Sequence, residues 1–220
     1  MKVILFGATG MVGQGVLREC LLSSEVHNVL TVGRSATGQR DPKLSEIVPK
    51  DLGDLAPIEG ELKGYDACFF CLGVSAAGMR ETGYTRVTYD LTLTVARTLL
   101  KINPDMTFIY VSGTGTDSSE KGRSMWARVK GRTENDLLKL GFKRAYMFRP
   151  GYIQPLDGIR TKTRVYAVFY AILAPFYPLF KAIVPQYVTT TRQVGRAMIQ
   201  VALHGEAQTH LENRDINRLG

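Results

Sequence analysis

The sequence predicts an α/β fold, a Rossmann-type doubly wound parallel sheet with a small helical region on the substrate side near the C-terminus. Two observations lead to this prediction. Short apolar runs alternate with helix-like stretches along the chain, and a glycine-rich turn directly follows the first apolar run. The length of 220 residues, of which 45% are hydrophobic, suits a single domain spanning residues 1–220.

Six strand-like runs are predicted, and the first is continuously apolar, as expected for a strand that is buried on both faces of a sheet. They are residues 3–6, 28–32, 46–48, 67–72, 107–112 and 143–149. Helical spacing of apolar residues is clearest in three stretches, residues 12–21, 87–99 and 122–140. Thr190 followed by Gln193 predicts a capping box that opens a last helix. Since ligands of parallel sheets bind at the carboxyl ends of strands, the loops after the strands should carry function.

The first of these loops reads Gly-Ala-Thr-Gly-Met-Val-Gly at residues 7–13. Glycine lets the backbone turn sharply and approach a pyrophosphate, and the N-terminus of the following helix offers free N–H groups to the anion. The loop follows a strand and opens a helix, which is the context that dinucleotide binding requires. The expected cofactor-binding residues of this loop are Gly7, Thr9, Gly10, Met11, Val12 and Gly13.

The loop after the second strand carries a basic residue where an acidic one is usual. NAD-specific sites place Asp or Glu here to bind the ribose hydroxyls, whereas this chain has Arg34. A guanidinium can pair with a 2′-phosphate and stack on adenine, so the sequence favours NADP(H) over NAD(H). Asp51 and Leu52, after the third strand, are candidates to flank the adenine, and Leu72 and Gly73 let the backbone pass close to the ribose.

Hydroxyl-bearing and basic residues follow the fifth strand. Ser112 and Thr114 lie in a loop where a substrate carbonyl could bind. Trp126 and Lys130 are four residues apart at the start of a helix and therefore share one of its faces.

These motifs, together with Lys-Gly-x-x-Glu at residues 130–134 and Arg-Pro-Gly at residues 149–151, resemble the short-chain dehydrogenase/reductase superfamily. More narrowly, the chain resembles the atypical branch that includes the Tat-interacting tumour-suppressor protein and its bacterial relatives. The resemblance runs from Met1 to about Leu203.

The resemblance implies roles for several side chains. Lys130 would bind the nicotinamide ribose, Ser112 or Thr114 would orient the substrate carbonyl, and Asp90 would occupy a position that is often Asp in this branch. The residues expected at the nicotinamide end are Pro150, Tyr152 and Ile153.

The chain departs from this pattern at the catalytic tyrosine, which is replaced by Trp126. A tyrosine assisted by lysine can exchange a proton, whereas the indole N–H is only a donor and does not titrate usefully. Tyr84, Tyr89 and Tyr152 are candidate substitutes. Two functions therefore stay open: an NADP(H)-dependent oxidoreductase or epimerase-like enzyme for an unknown small carbonyl or hydroxyl substrate, and a catalytically impaired NADPH-binding regulatory or interaction protein.

Composition bounds the partners and the location. The net charge is +8, but the dispersed Lys and Arg residues do not favour nucleic-acid binding. Three cysteines and scattered histidines indicate a reducing compartment and no metal site, and with the absence of a signal-peptide pattern they predict a cytoplasmic protein. Residues 152–188 are expected to form a substrate-side lid or interface. Their apolar part, residues 165–184, could be short covering helices, a homodimer surface or a peripheral membrane contact.

Overall fold

The computed structural model describes residues 1–159, Tyr177 and residues 183–220. The described strands are β1 Lys2–Phe6, β2 Asn28–Val32, β3 Leu44–Ile47, β4 Ala67–Phe70, β5 Thr107–Val111, β6 Arg144–Arg149, β7 Tyr152–Gln154, β8 Val188–Thr190 and β9 His210–Glu212. Most of the predicted lid at 152–188, and nearly all of the apolar stretch at 165–184, lie outside the described residues.

Seven of these strands form one parallel sheet in the order β3-β2-β1-β4-β5-β6-β9, while β7 and β8 pair separately. The sheet confirms the predicted Rossmann-type fold. The chain order reverses between β1 and β4, and in such sheets a crevice opens at the carboxyl ends of the two strands that flank the reversal.

The described helices are α1 Met11–Leu22, α2 Glu81–Thr85, α3 Leu91–Ile102, α4 Met125–Lys139, α5 Thr191–His204 and α6 Asn213–Leu219. A π-helical turn, Arg86–Asp90, joins α2 to α3. Helix α4 begins three residues later than predicted, since the carboxylate of Asp117 accepts the backbone N–H of Gly122 at 2.6 Å and holds that residue in a loop.

Alternate residues of each strand face two different helical layers. In β1, Val3 and Leu5 pack in the core on the side of α1 and α5, whereas Ile4 and Phe6 pack on the side of α3. All four side chains have no exposed surface. The sheet is therefore covered on both faces, as its continuous apolar runs predicted.

The helical stripe predicted from residue 87 to residue 99 holds only in its second half. Val95 and Leu99 are fully buried, but Val87 is 39% exposed. The prediction was wrong at Val87 because the π-helical turn changes the number of residues per turn, so the i, i+4 spacing does not continue through it.

Thr190 is the N-cap of α5, as predicted, but Gln193 Oε1 accepts the Thr190 hydroxyl rather than its backbone N–H, so only half of the predicted capping box forms. The hydroxyl oxygen of Thr190 accepts a hydrogen bond from the backbone N–H of Gln193 at 3.1 Å. Among the residues that the structure describes, no helix combines the length and the apolar character needed to cross a bilayer.

Candidate functional site

A cleft of about 670 Å³ lies at the carboxyl ends of β1, β4, β5 and β6. The predicted residues that line it are Gly7, Thr9, Gly10, Met11, Val12, Arg34, Leu72, Gly73, Ser112, Thr114, Lys130, Pro150 and Ile153. A smaller cleft of about 330 Å³ continues toward the end of β2 and shares Gly7, Thr9, Arg34 and Leu72 with the first. Together they form one elongated groove over the reversal of strand order.

The glycine loop forms one wall of this groove and packs tightly against its neighbours. Gly7 has φ +83°, and a Cβ there would lie 2.7 Å from the backbone carbonyl of Cys71. A Cβ on Gly13 would lie 2.1 Å from the carbonyl oxygen of Gly7, so Gly13 supports the loop from behind rather than lining the groove. Gly10 caps α1 without a side chain, and the first turn of α1 has no acidic residue. The uncapped N–H groups suit an anionic diphosphate.

Arg34 lies at the β2 end of the groove and lines both clefts. Its guanidinium has no ion-pair partner among the described residues. Glu46 of the neighbouring strand is not in the lining, and its Oε2 accepts the Thr31 hydroxyl at 3.0 Å and the Thr37 N–H at 2.8 Å. A positive charge therefore stands at this end without an opposing carboxylate in the lining.

Lys130 lies at the opposite end of the groove, on α4. Its ammonium group donates a hydrogen bond to the backbone carbonyl oxygen of Ser112. Burial lowers the pKa of Lys130 to about 8, although the carboxylate of Glu134 acts in the opposite direction.

Ser112 lines the groove, but its hydroxyl is engaged elsewhere. Ser112 Oγ donates to the carboxylate of Glu134 and lies 3.2 Å from the carbonyl oxygen of Phe148. The resemblance implied that Ser112 orients a substrate carbonyl, but its hydroxyl is already engaged by these two partners. Thr114 is exposed at the groove, where its hydroxyl donates to the carbonyl oxygen of Arg149 at 3.0 Å.

A buried ion pair holds the strand ends behind Lys130. Glu134 is fully buried on α4 and accepts hydrogen bonds from Arg149 of β6, whose Nε lies 3.1 and 3.2 Å from the two carboxylate oxygens. Arg149 also donates to Glu212 of β9 at 3.2 Å, and His210 lies 3.6 Å from Glu134. The pair thus joins α4, β5, β6 and β9.

Trp126 lines the groove one turn before Lys130, where the resemblance expects a tyrosine. A Cβ on Gly115 would lie 3.5 Å from the indole Cη2, so the ring packs over the loop after β5. The candidate substitute tyrosines lie elsewhere.

Tyr84 is 1% exposed in the core, the Tyr89 hydroxyl donates to Asp136 at 2.7 Å, and the Tyr152 hydroxyl donates to Gln154 at 2.9 Å. No tyrosine is among the described residues that line the groove.

Five predicted site residues do not line the groove, namely Gly13, which lies behind the glycine loop, and four others. Asp51 is exposed and uses its carboxylate to accept the N–H of Gly53 at 2.8 Å, while Leu52 packs into the core. Asp90 is exposed in the π-helical turn, and Tyr152 belongs to the separate β7–β8 pair. Because these four residues do not line the groove, their positions do not support the cofactor-binding or catalytic roles that were inferred for them.

The structure adds lining residues that were not named as binding or catalytic residues from the sequence. They are Ala8, Thr31, Val32, Gly33, Ser35, Cys71, Val74, Ser75, Val111, Gly113, Trp126 and Gly151. All except Trp126 lie at or just after the carboxyl end of a strand or in the glycine loop. The predicted strand ends were therefore the sequence feature that could have identified them. Among the described residues, no group of three or more His, Cys, Asp or Glu side chains could hold a metal ion.

Comparison with known proteins identifies similar sequences. The chain is 31% identical over 170 residues to the mitochondrial protein fmp52 of Aspergillus clavatus, covering 74% of this chain and 70% of that protein. It is 33% identical over 153 residues to the mitochondrial protein FMP52-2 of Scheffersomyces stipitis, covering 68% of this chain and 65% of that protein. Protein HTATIP2 of Rattus norvegicus is 28% identical over 154 residues, with 69% and 62% covered. No protein-family model matches the chain.

Solved structures agree on the fold. The Bordetella bronchiseptica enzyme WbmF in complex with NAD⁺ superposes with a TM-score of 0.68 at 13% identity, covering 99% of this chain and 76% of that one. The UDP-N-acetylglucosamine 4-epimerase of Methanobrevibacter ruminantium M1 gives a TM-score of 0.68 at 17% identity, covering 95% and 74%. The chain therefore shares the fold of this NAD⁺-bound enzyme and of this epimerase.

The relatives correct one prediction from the sequence. A cytoplasmic location was expected from the cysteine content and the absence of a signal-peptide pattern. Relatives from Scheffersomyces stipitis, Meyerozyma guilliermondii and Emericella nidulans are all named mitochondrial proteins, so that prediction is wrong on this comparison. The signal-peptide criterion concerns secretion and does not bear on import into an organelle.

Proposed function

Because the chain belongs to the atypical short-chain dehydrogenase/reductase family that includes the FMP52 proteins, we propose that it binds NADP(H) in the groove and reduces a small carbonyl compound. One observation carries the proposal: the groove runs from an anion-accepting glycine loop, past an unpaired Arg34, to a partly buried Lys130. The glycine loop, Arg34 and Lys130 are complementary, in that order, to the diphosphate, the 2′-phosphate and the nicotinamide ribose of one extended dinucleotide.

The residues fit the cofactor on steric as well as chemical grounds. A side chain on Gly7 or Gly13 would collide with backbone atoms, so the loop can stay close-packed beside a diphosphate only with glycine at these positions. When bound, the cofactor would supply a hydride. The chain's own residues would hold it, with Arg34 at the 2′-phosphate and Lys130 at the ribose near the reacting carbon.

Calorimetric titration with NADPH and NADH tests the cofactor choice. We expect NADPH to bind at least about tenfold more tightly, because a charge-assisted hydrogen bond contributes about 1.5–3 kcal/mol. Replacing Arg34 with alanine should lower NADPH affinity by about tenfold or more and leave NADH affinity unchanged.

Arg40→Ala is the matched control, since Arg40 is also exposed but lines neither cleft. Equal affinity for both cofactors in the wild type would contradict the NADP(H) preference. No binding of either cofactor would overturn the proposed function.

Trp126 favours a second candidate function, in which the protein binds NADPH as a regulatory or interaction protein and does not turn it over. The observation behind this candidate is that the groove holds an indole where the family has an acid.

Restoring the tyrosine with Trp126→Tyr separates the two candidates. For a reductase, we expect measurable NADPH oxidation by diacetyl in the wild type and a rise of about tenfold or more in the variant, because a phenol beside Lys130 adds a proton donor. Absorbance of NADPH during steady-state turnover is the measurement. A wild type at the blank rate with an active variant would favour the non-catalytic candidate, and two inactive proteins would contradict the reductase.

A further inference from the structure

Reduction of a carbonyl needs a proton donor as well as a hydride, and the groove contains few candidates. Its described titratable lining residues are Arg34, Cys71 and Lys130. Arg34 lies at the β2 end, and a guanidinium does not release its proton in proteins. Burial raises the pKa of the Cys71 thiol, which leaves it protonated and a poor acid. Among the described lining residues, Lys130 is the titratable group that can release a proton, and it lies at the other end of the groove.

The hydroxyl groups beside Lys130 do not replace it. The Ser112 hydroxyl donates a hydrogen bond to the carboxylate of Glu134 behind the groove, and the Thr114 hydroxyl donates one to the carbonyl oxygen of Arg149. Both are alcohols, which do not ionise near neutral pH and would have to take a proton from another group after each turnover. Trp126 offers an N–H donor that does not titrate.

The geometry leaves Lys130 hydrogen atoms to donate. An ammonium group carries three N–H donors, and the structure uses one of them on the carbonyl oxygen of Ser112. Two donors are therefore left on a residue that lines the groove, one for a ribose hydroxyl and one for a substrate oxygen. Trp126, one helical turn away on the same face, forms the adjacent wall.

The surroundings of Lys130 also affect the protonation of its side chain. Glu134 lies one turn further along α4 and is paired with Arg149 of β6, while His210 of β9 stands 3.6 Å from the same carboxylate. Glu134 favours the charged ammonium, and burial favours the neutral amine. The outcome, a pKa of about 8, matches the range to which enzymes lower a lysine that exchanges protons.

We propose that Lys130 itself donates the proton to the substrate oxygen, in place of the absent tyrosine. A bound reduced nicotinamide would supply the hydride to the carbonyl carbon, and the carbonyl oxygen would take a proton from Lys130 Nζ, which gives the alcohol and the oxidised cofactor. The neutral amine would then take up one proton from solvent, which is the proton that the overall reduction consumes. This inference rests on the proposed reductase function, and it gives Lys130 a chemical role in addition to cofactor binding.

Lys130→Arg is the informative variant, because arginine keeps the positive charge and the donors but does not release a proton. With diacetyl as the probe, we expect kcat/KM of the wild type to be level below the pKa of Lys130, about 8, and to fall above it as the ammonium deprotonates. Lys130→Arg should lose about a hundredfold in kcat/KM and show no such fall. Lys130→Met should lose both turnover and NADPH affinity.

A binding measurement reports on the same group without turnover. Calorimetry of NADPH binding in buffers of different ionisation enthalpy measures the protons taken up. Above the pKa of Lys130 the wild type should take up a proton, since the anionic cofactor favours the ammonium, and Lys130→Arg should not.

The two proposals can fail separately. If NADPH binds but Lys130→Arg keeps wild-type turnover, or if the wild type shows neither turnover of diacetyl nor proton uptake, the role of Lys130 is overturned while cofactor binding stands. If NADPH does not bind to the wild type, the proposed function itself fails. A Lys130→Arg protein that binds NADPH within about threefold of the wild type has folded, so its loss of turnover would support the inference.

Discussion

Replacing Gly13 with alanine is expected to abolish NADP(H) binding. The added methyl group would lie 2.1 Å from the carbonyl oxygen of Gly7 and 2.9 Å from Cα of Ala8. Both are backbone atoms of the loop itself, so no side-chain rotation can relieve the collision. The loop must move away from the N-terminus of α1, and the N–H groups that converge on the diphosphate are then no longer aligned.

Gly73→Ala provides the matched control for this substitution. Gly73 lines the same groove, yet a Cβ there meets no atom within 4 Å. We expect Gly13→Ala to lower NADPH affinity by about a hundredfold or more by calorimetry, and Gly73→Ala to change it by less than about fivefold. Near-normal affinity in Gly13→Ala would mean that the loop does not hold the diphosphate. Circular dichroism separates loss of binding from loss of folding.

Arg149→Met is expected to cause the largest loss of stability away from the glycine loop. Glu134 is fully buried, and the substitution would leave its carboxylate without the guanidinium that compensates it. Breaking a buried pair by removing one partner costs about 3–5 kcal/mol. The loss should be visible as a lower urea midpoint with an unchanged slope.

Two further variants test this explanation. Arg218→Met removes the partner of Glu206 at the surface and should change the midpoint little, since exposed pairs are screened by water. Combining Arg149→Met with Glu134→Leu should recover much of the lost stability, because the buried carboxylate is then removed together with its guanidinium partner. A double variant as unstable as Arg149→Met alone would show that packing, rather than charge, explains the effect.

Much of the fold could be predicted because local signals agree with the global architecture. Continuous apolar runs gave β1 and β2 to within a residue, and Thr190 with Gln193 gave the start of α5. The short strands β7, β8 and β9 were not predicted, since three-residue strands have too few positions for a pattern to appear. The π-helical turn was not predicted either, because the spacing of its residues follows neither the α-helical nor the strand periodicity.

The candidate site was predicted well where backbone geometry decides and poorly where side-chain direction decides. The position of the glycine loop between a strand and a helix places five of its six predicted residues in the groove, and Gly13 lies behind them. The sequence shows that Ser112 follows a strand, but not that its hydroxyl turns to Glu134. Glu134 is also the partner of Arg149, so the contact of Ser112 belongs to a network of residues that are distant in the sequence.

Trp126 has a practical consequence. It is the single tryptophan in the sequence, and it stands in the lining of the groove, one turn from Lys130. The intrinsic ultraviolet emission attributable to tryptophan therefore originates at one place, beside the region assigned to the nicotinamide. Quenching of that emission, and energy transfer from the indole to a reduced nicotinamide, would report occupancy without any label. The tryptophan that replaces the expected tyrosine is thus an intrinsic fluorescent reporter of the groove.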